Sequence, residues 1–172
     1  SYYDATDQAF IVLDLQSGDE DQFLNTAGEP GSWAANGSQF VTPEFSEVVT
    51  DILRGPTGEL SNQDVDETEL EPVVVATSHL MIYDLDRTRN TDLTLSPDIE
   101  DLTPVFSPNG VWMVFARKYL DEARWTPGRQ VWLMRANGTQ AEAITDAPDY
   151  KYTAFDWHPN GRQIAAVRFN TT

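Results

Sequence analysis

One phrase is written three times in this chain. It reads "WAANGSQFV" from Trp33 to Val41, "FSPNGVWMV" from Phe106 to Val114, and "WHPNGRQIA" from Trp157 to Ala165. Each copy is an aromatic residue, two spacers, Asn-Gly, and then an apolar stretch. Asn-Gly supplies the positive φ that a tight hairpin needs, so each copy predicts two antiparallel strands with a reversal between them. The reversals fall at Asn36-Gly37, Asn109-Gly110 and Asn160-Gly161. After the second one, Trp112, Val114 and Ala116 alternate with Val111, Met113 and Phe115. Both faces of that strand are apolar, which predicts burial on both sides.

A second repeated phrase accompanies the first. "QAFIVLDLQSGDEDQFL" covers Gln8 to Leu24, "SHLMIYDLDRTRNTDLT" covers Ser78 to Thr94, and "RQVWLMRANGTQAEAIT" covers Arg129 to Thr145. Each is an apolar strand, a polar turn and a shorter strand. The repeating unit is therefore four short antiparallel strands. Asn109 and Asn160 lie 51 residues apart, close to the period of propeller blades. The fold class expected is all-β: a propeller of four-stranded antiparallel blades, with Trp33, Phe106 and Trp157 in equivalent buried positions.

The stretch "TPVFSPNGVWMVFA" through "QVWLMRANGTQAEAIT" resembles the repeat of the TolB-type, WD-repeat-like β-propeller family. That repeat commonly reads aromatic-Ser-Pro-Asp-Gly, an apolar strand, then a hairpin ending in Leu-Thr. Here asparagine stands at positions 36, 109 and 160 where aspartate is usual, and Ala34-Ala35 replaces Ser-Pro. Both changes keep the turn chemistry. Counted this way, Gln8–Leu24 is the outer half of a blade, Ser32–Thr94 and Thr103–Thr145 are full blades, and Thr153–Phe169 is an inner half. The resemblance implies about three blade equivalents of a six-bladed ring in one domain over residues 1–172. The remaining blades would come from a parent chain or from a second copy.

Residues 44–75 interrupt the second unit as an acidic insertion. Phe45, Val48, Val49, Ile52 and Leu53 have one-face helical spacing, with Pro43 at a first-turn position and Gly55-Pro56 as a stop. This predicts a short helix. The β-branched run Val48-Val49-Thr50 argues for strand instead. Gly58 to Glu71 is acidic and poor in large apolar residues, which predicts a mobile, dispensable loop.

Charge narrows the partners. The 172 residues carry a net charge of −17, yet Arg54 is the only basic residue before Arg87, and the half from Arg87 onward is neutral. Nucleic acid is excluded as a natural partner, because phosphates need basic surface. No apolar run reaches the roughly 20 residues of a membrane span. With no cysteine, disulfides and thiol chemistry are excluded. No Gly-x-Ser-x-Gly elbow, P-loop or Gly-x-Gly-x-x-Gly fingerprint is present. Neither His79 nor His158 has a metal-ligand partner at close spacing.

Two places remain as interaction loops. Asp64, Asp66, Glu67 and Glu69 form an acidic run that lacks the glycine and spacing of a calcium loop. It reads as solvated, with a weak divalent-cation site as the alternative, and no cofactor is expected. Asp121, Glu122, Arg124 and Trp125 form a loop tip inside a blade. The family resemblance implies a non-catalytic scaffold that binds a protein in an extracytoplasmic space, periplasm or cell surface. An accessory propeller of a prolyl-oligopeptidase-like hydrolase, or a glycan- or metal-binding propeller, is the alternative.

Overall fold

The computed structural model describes residues 2–25, 28–29, 31–50, 73–85 and 89–171. Every regular element among them is a β-strand. β1 (Tyr2–Asp4), β2 (Ala9–Leu13) and β3 (Glu20–Leu24) form one antiparallel sheet. β4 (Ser32–Trp33), β5 (Gln39–Thr50), β6 (Val73–Asp84) and β7 (Arg89–Asp92) form an antiparallel run of four. β8 (Ile99–Phe106), β9 (Trp112–Tyr119), β10 (Gln130–Arg135) and β11 (Glu142–Ala143) form a second run of four. A single parallel bridge, Ser78 to Glu100, joins the two runs. β12 (Tyr150–Trp157) and β13 (Ile164–Asn170) stand as a separate pair, and the sheets do not close on themselves.

The three Asn-Gly reversals share one geometry. The glycine N–H donates to the carbonyl three residues back: Gly37 to Ala34, Gly110 to Ser107 and Gly161 to His158, at 2.9, 2.9 and 2.8 Å. Only the glycine is left-handed, with φ of +70°, +68° and +68°. The positive φ expected of each Asn-Gly pair falls on the glycine and not on the asparagine. Its side chain does a different job. Oδ1 accepts the N–H two residues on, from Ser38, Val111 and Arg162, each at 3.0 Å. This Asx turn needs only a side-chain oxygen at that distance, so aspartate and asparagine serve equally. Asn137-Gly138 repeats the device between β10 and β11.

Sheets pack face to face, and alternation along β9 serves two interfaces. Met113 and Phe115 join Val41, Leu80, Ile82, Phe106 and Met134 in one core. Val114, on the opposite face, joins Val131 and Tyr152 in another, against Phe155, Trp157 and Ile164. β9 is thus buried on both sides, which is why its sequence has no polar face. On the far side of the β4–β7 run, Phe10 and Trp33 meet Phe40 edge-on at 5.4 and 5.2 Å.

The three repeat aromatics differ in burial. Phe106 is 6% exposed, enclosed between two sheets, whereas Trp33 is 36% exposed. Trp33 sits in a two-residue strand at a sheet edge, and Trp157 is half-buried against the Val114, Val131 and Tyr152 core. Trp157 nevertheless ties its sheet to the next one, since its indole N–H donates to the Val105 carbonyl at 3.1 Å.

The helix expected from Pro43 onward is a strand as far as Thr50. β5 pairs with β6 in unbroken register from Gln39–Asp84 to Thr50–Val73. The β-branched residues at 48–50 lie opposite the valines at 73–75 in that ladder, and this sheet-forming pairing outweighs the helical spacing. Pro43 fits because of parity. The Gln39 carbonyl bonds to β4 and the Ser38 carbonyl to the Leu85 N–H, so odd-numbered residues turn their backbone groups away from β6. The proline nitrogen therefore falls on that side, beyond the end of β4, where no ladder bond is lost. Residues 44–50 and 73–75 of the acidic insertion are thus hairpin. Residues 51–72, with Asp64, Asp66, Glu67 and Glu69 and the loop expected to be mobile, lie outside the described residues.

Candidate functional site

β4, β8 and β12 begin their sheets and lie side by side. The Ser32 hydroxyl accepts the Phe106 N–H at 3.1 Å, and Trp157 reaches Val105 from the other side. β8 carries a bulge between Leu102 and Val105, and β12 carries one between Tyr152 and Phe155. At the first bulge Thr103 has φ +52°, a conformation that costs a β-branched residue energy.

A cleft of about 200 Å³ opens at this level, lined by Glu29, Phe45, Glu100, Leu102, Thr103, Ala116, Arg129, Lys151, Tyr152 and Thr153. Arg129 pairs with Glu100 across it. Lys118 stands opposite Glu100 on the neighbouring strand. Desolvation lowers the Lys118 ammonium from its ordinary value, opposed by Glu100 and reinforced by Arg129 and Lys151. Two buried donors here have no hydrogen-bond partner: Thr103 Oγ1 and Arg129 Nε.

The loop after β9 lies at the same end. Asp121 organises it, since its carboxylate accepts the Arg124 N–H at 3.1 Å and the Arg124 guanidinium at 2.7 Å. The Asp121 carbonyl also takes the Trp125 N–H. Arg124 stacks on Tyr119 at 4.0 Å, and Lys118 sits 4.7 Å from the centre of the Trp125 ring. Glu122 is exposed. Of the loop residues singled out in the sequence, Asp121, Arg124 and Trp125 are therefore held together and Glu122 stands apart.

A second polar cluster lies deeper. Asp101 is enclosed and receives two bonds of 2.7 Å from Arg117. Burial pushes its carboxyl up from the ordinary value, while Arg117, Thr94 and His79 pull it back. His79 Nδ1 meets Asp92 at 3.1 Å and Nε2 meets the Ser96 carbonyl at 3.0 Å. The repeat explains this histidine. Fifty-one residues on, Gln130 Nε2 donates to the Ala147 carbonyl at 2.8 Å. Thr94 and Thr145 likewise each accept a strand N–H, from Leu80 and Val131, at 2.9 Å. His79 and Gln130 are the same strut in two copies, tying a strand to the loop that follows. No cluster of three or more His, Cys, Asp or Glu among the described residues could hold a metal ion. Among them no helix is long and apolar enough to cross a membrane.

Four-stranded antiparallel runs packed face to face, each begun by an inner strand, define an array of the β-propeller type. Solved propeller proteins superpose on it. A protein described as TolB from Agrobacterium tumefaciens does so with a TM-score of 0.55 at 18% identity, over 95% of this chain and 51% of its own. Oligogalacturonate lyase from Vibrio parahaemolyticus gives 0.57 at 15% identity, over 96% and 42%. TolB from Acinetobacter baumannii gives 0.52 at 13% identity, over 94% and 35%. The chain spans about half or less of the length of these proteins. At such identities the likeness establishes the fold alone. No protein-family model and no curated protein matches the sequence.

The cleft was missed in the sequence. Its lining is scattered from Glu29 to Thr153, and only the Thr103-Pro104 and Thr153-Ala154 steps before the repeat phrases hint at the bulges.

Proposed function

We propose that this chain is a non-catalytic propeller-type scaffold that binds another protein in an extracytoplasmic space. The observation that carries the reading is the loop from Asp121 to Trp125. It is fixed by its own hydrogen bonds and cation–π contacts, yet it leaves charged and aromatic surface at one end of rigid sheets. Fixed aromatic and arginine groups are the anchors that protein interfaces favour. The likeness to two TolB structures supports the same reading. Asp64, Asp66, Glu67 and Glu69 belong to it on charge alone. Further blades, from a longer chain or a second copy, would cover the outer face of β12–β13, where Val167 and Phe169 are exposed.

The test is site-specific photo-crosslinking from positions 122 and 123 in the full protein. One stoichiometric partner should crosslink. The double variant Arg124→Glu, Trp125→Ala should abolish the crosslink without moving the melting midpoint. Crosslinks unaffected by the variant would overturn the reading.

The likeness to oligogalacturonate lyase supports a second reading, a glycan-acting propeller. Release of unsaturated product from oligogalacturonate by the full protein would replace the first reading with it.

A further inference from the structure

We propose that the cleft between β8, β10 and β12 binds a carboxylate of a protein partner, carried on an acidic residue beside an apolar one. The proposal rests on the protein-binding reading and gives it a chemistry. Two buried donors line the cleft with nothing to donate to, Thr103 Oγ1 and Arg129 Nε. A native interior leaves few such groups, and each calls for an acceptor. Arg129 Nε can only donate and the Thr103 hydroxyl can also donate, so one acceptor satisfies both and a cation cannot.

Charge agrees. Arg129 and Lys151 line the cleft and Lys118 stands behind it, against the carboxylates of Glu29 and Glu100. Glu100 occupies one face of Arg129 through Nη2 and leaves Nε unused. The Nε edge of the guanidinium thus has no acceptor in the free chain, and charge-assisted bonds of this kind are the stronger ones. In a chain of net charge −17, this is a local reversal of sign.

Shape selects the source. The rest of the wall is Phe45, Leu102, Ala116, Tyr152 and Thr153, mostly apolar. A sugar acid would bring several hydroxyls to that wall and leave them unpaired. An acidic side chain flanked by an aliphatic one would not. The left-handed Thr103 has a physical role in this account. The bulge that strains it also re-aims its hydroxyl, as bulges beside binding sites do. Lys118 pairs in the ladder with Glu100 of the cleft and lies against Trp125 of the loop, so the two surfaces are neighbours and one partner can engage both.

The test uses the full protein and three probes: a fluorescent octapeptide of alternating leucine and aspartate, the same peptide with asparagine for aspartate, and digalacturonate. Binding is read by fluorescence anisotropy and by competition. The acidic peptide should bind and weaken as salt rises, and the asparagine peptide should not. Lys118→Met with Lys151→Met should cut affinity about tenfold or more, as loss of charge-assisted contacts requires. Thr103→Val should weaken binding severalfold while leaving the melting midpoint unchanged or higher, because its hydroxyl has no partner in the free chain. That combination separates a binding hydroxyl from a structural one. Equal binding of the asparagine peptide, or an affinity indifferent to both variants, would overturn the proposal. So would stronger binding of digalacturonate. If the proposal fails while crosslinking from position 122 still finds its partner, the scaffold reading stands and only the cleft's assignment falls.

Discussion

β9 and β13 are the same strand written twice, with opposite fates. Both follow the Asn-Gly turn, and position for position Met113 matches Ile164, Val114 matches Ala165, and Arg117 matches Arg168. Met113, Val114 and Phe115 are completely buried, whereas Val167 and Phe169 on β13 are largely exposed. The two arginines show what this does to chemistry. Arg117 faces Asp101 across the ladder and is locked to it by two bonds. Arg168 faces Tyr152, stacks on Tyr150 at 4.3 Å and only grazes the Tyr152 hydroxyl at 3.5 Å. Local sequence sets the hairpin, and the next sheet decides whether its polar residues become structural.

The sharpest way to break the comparison is to remove both guanidiniums. Arg117→Met leaves the Asp101 carboxylate buried without its partner and should cost about 3–5 kcal/mol of unfolding free energy. Arg168→Met should leave the denaturation midpoint nearly unchanged. Urea titration of both variants checks this, and equal losses would show that β13 is covered as fully as β9. Replacing Arg117 and Asp101 together by apolar residues should recover much of the loss, since the isolated buried charge is the damaging species.

The aromatic that opens each phrase gives the next effect. Phe106→Ala should cost about 3–4 kcal/mol, as a buried phenylalanine does. Trp157→Ala should cost less, because part of its surface already meets solvent, and Trp33→Ala should cost least of the three. Thermal midpoints in that order support the burial series. A loss at Trp33 equal to that at Phe106 would mean that the edge strand β4 is covered in solution.

These contrasts also mark what could be read from the residues alone. The turns could be, because their geometry lives within six residues: the glycine must be left-handed and the asparagine must bond two residues on. The four-strand period could be, since the two phrases alternate in order and the last two copies lie 51 residues apart. Relative burial of Trp33, Phe106 and Trp157 could not, because it depends on neighbouring sheets that a local phrase does not name. The strand from Pro43 to Thr50 was obscured because helical spacing and β-branched composition coincide there, and only the partner strand at 73–80 settles the competition. The role of His79 became visible only through Gln130, whose side chain makes the equivalent bond to a backbone carbonyl.

A smaller effect should be the same in both copies. Gly110→Ala and Gly161→Ala each force an L-residue into the left-handed region, at about 1–2 kcal/mol. A Cβ at either site has room, the nearest atoms being Ala35 Cβ at 3.5 Å and Asn109 Nδ2 at 3.8 Å. The cost is therefore conformational and independent of burial, so similar losses should be measured in β9's turn and in β13's. A much smaller loss at Gly161 would show that the last hairpin is weakly formed.

The position of Arg117 and Arg168 has a third version, and it carries the smallest effect. Eight residues after Asn36 stands Glu44, opposite His79 on β6 as Arg117 stands opposite Gln130 on β10. Here the charge is reversed, and among the described residues no ion pair answers it. Burial, with Asp92 nearby, pushes the Glu44 carboxyl up to about 7. The Tyr83 hydroxyl donates to Glu44, and His79 and Asp92 are the other titratable groups beside it. Because the folded chain holds this proton more tightly than the unfolded one, Glu44's contribution to stability is complete below its ordinary value. It is lost as pH rises through about 7. Melting curves from pH 5 to pH 8 should therefore fall more steeply for the native chain than for Glu44→Gln. Solvent screening at this half-buried site holds the difference to about 1 kcal/mol. Parallel curves would mean that the Glu44 proton is shared with Asp92 or His79 rather than held locally. Variants Asp92→Asn and His79→Gln, the second copying Gln130, would then show which of the two takes it.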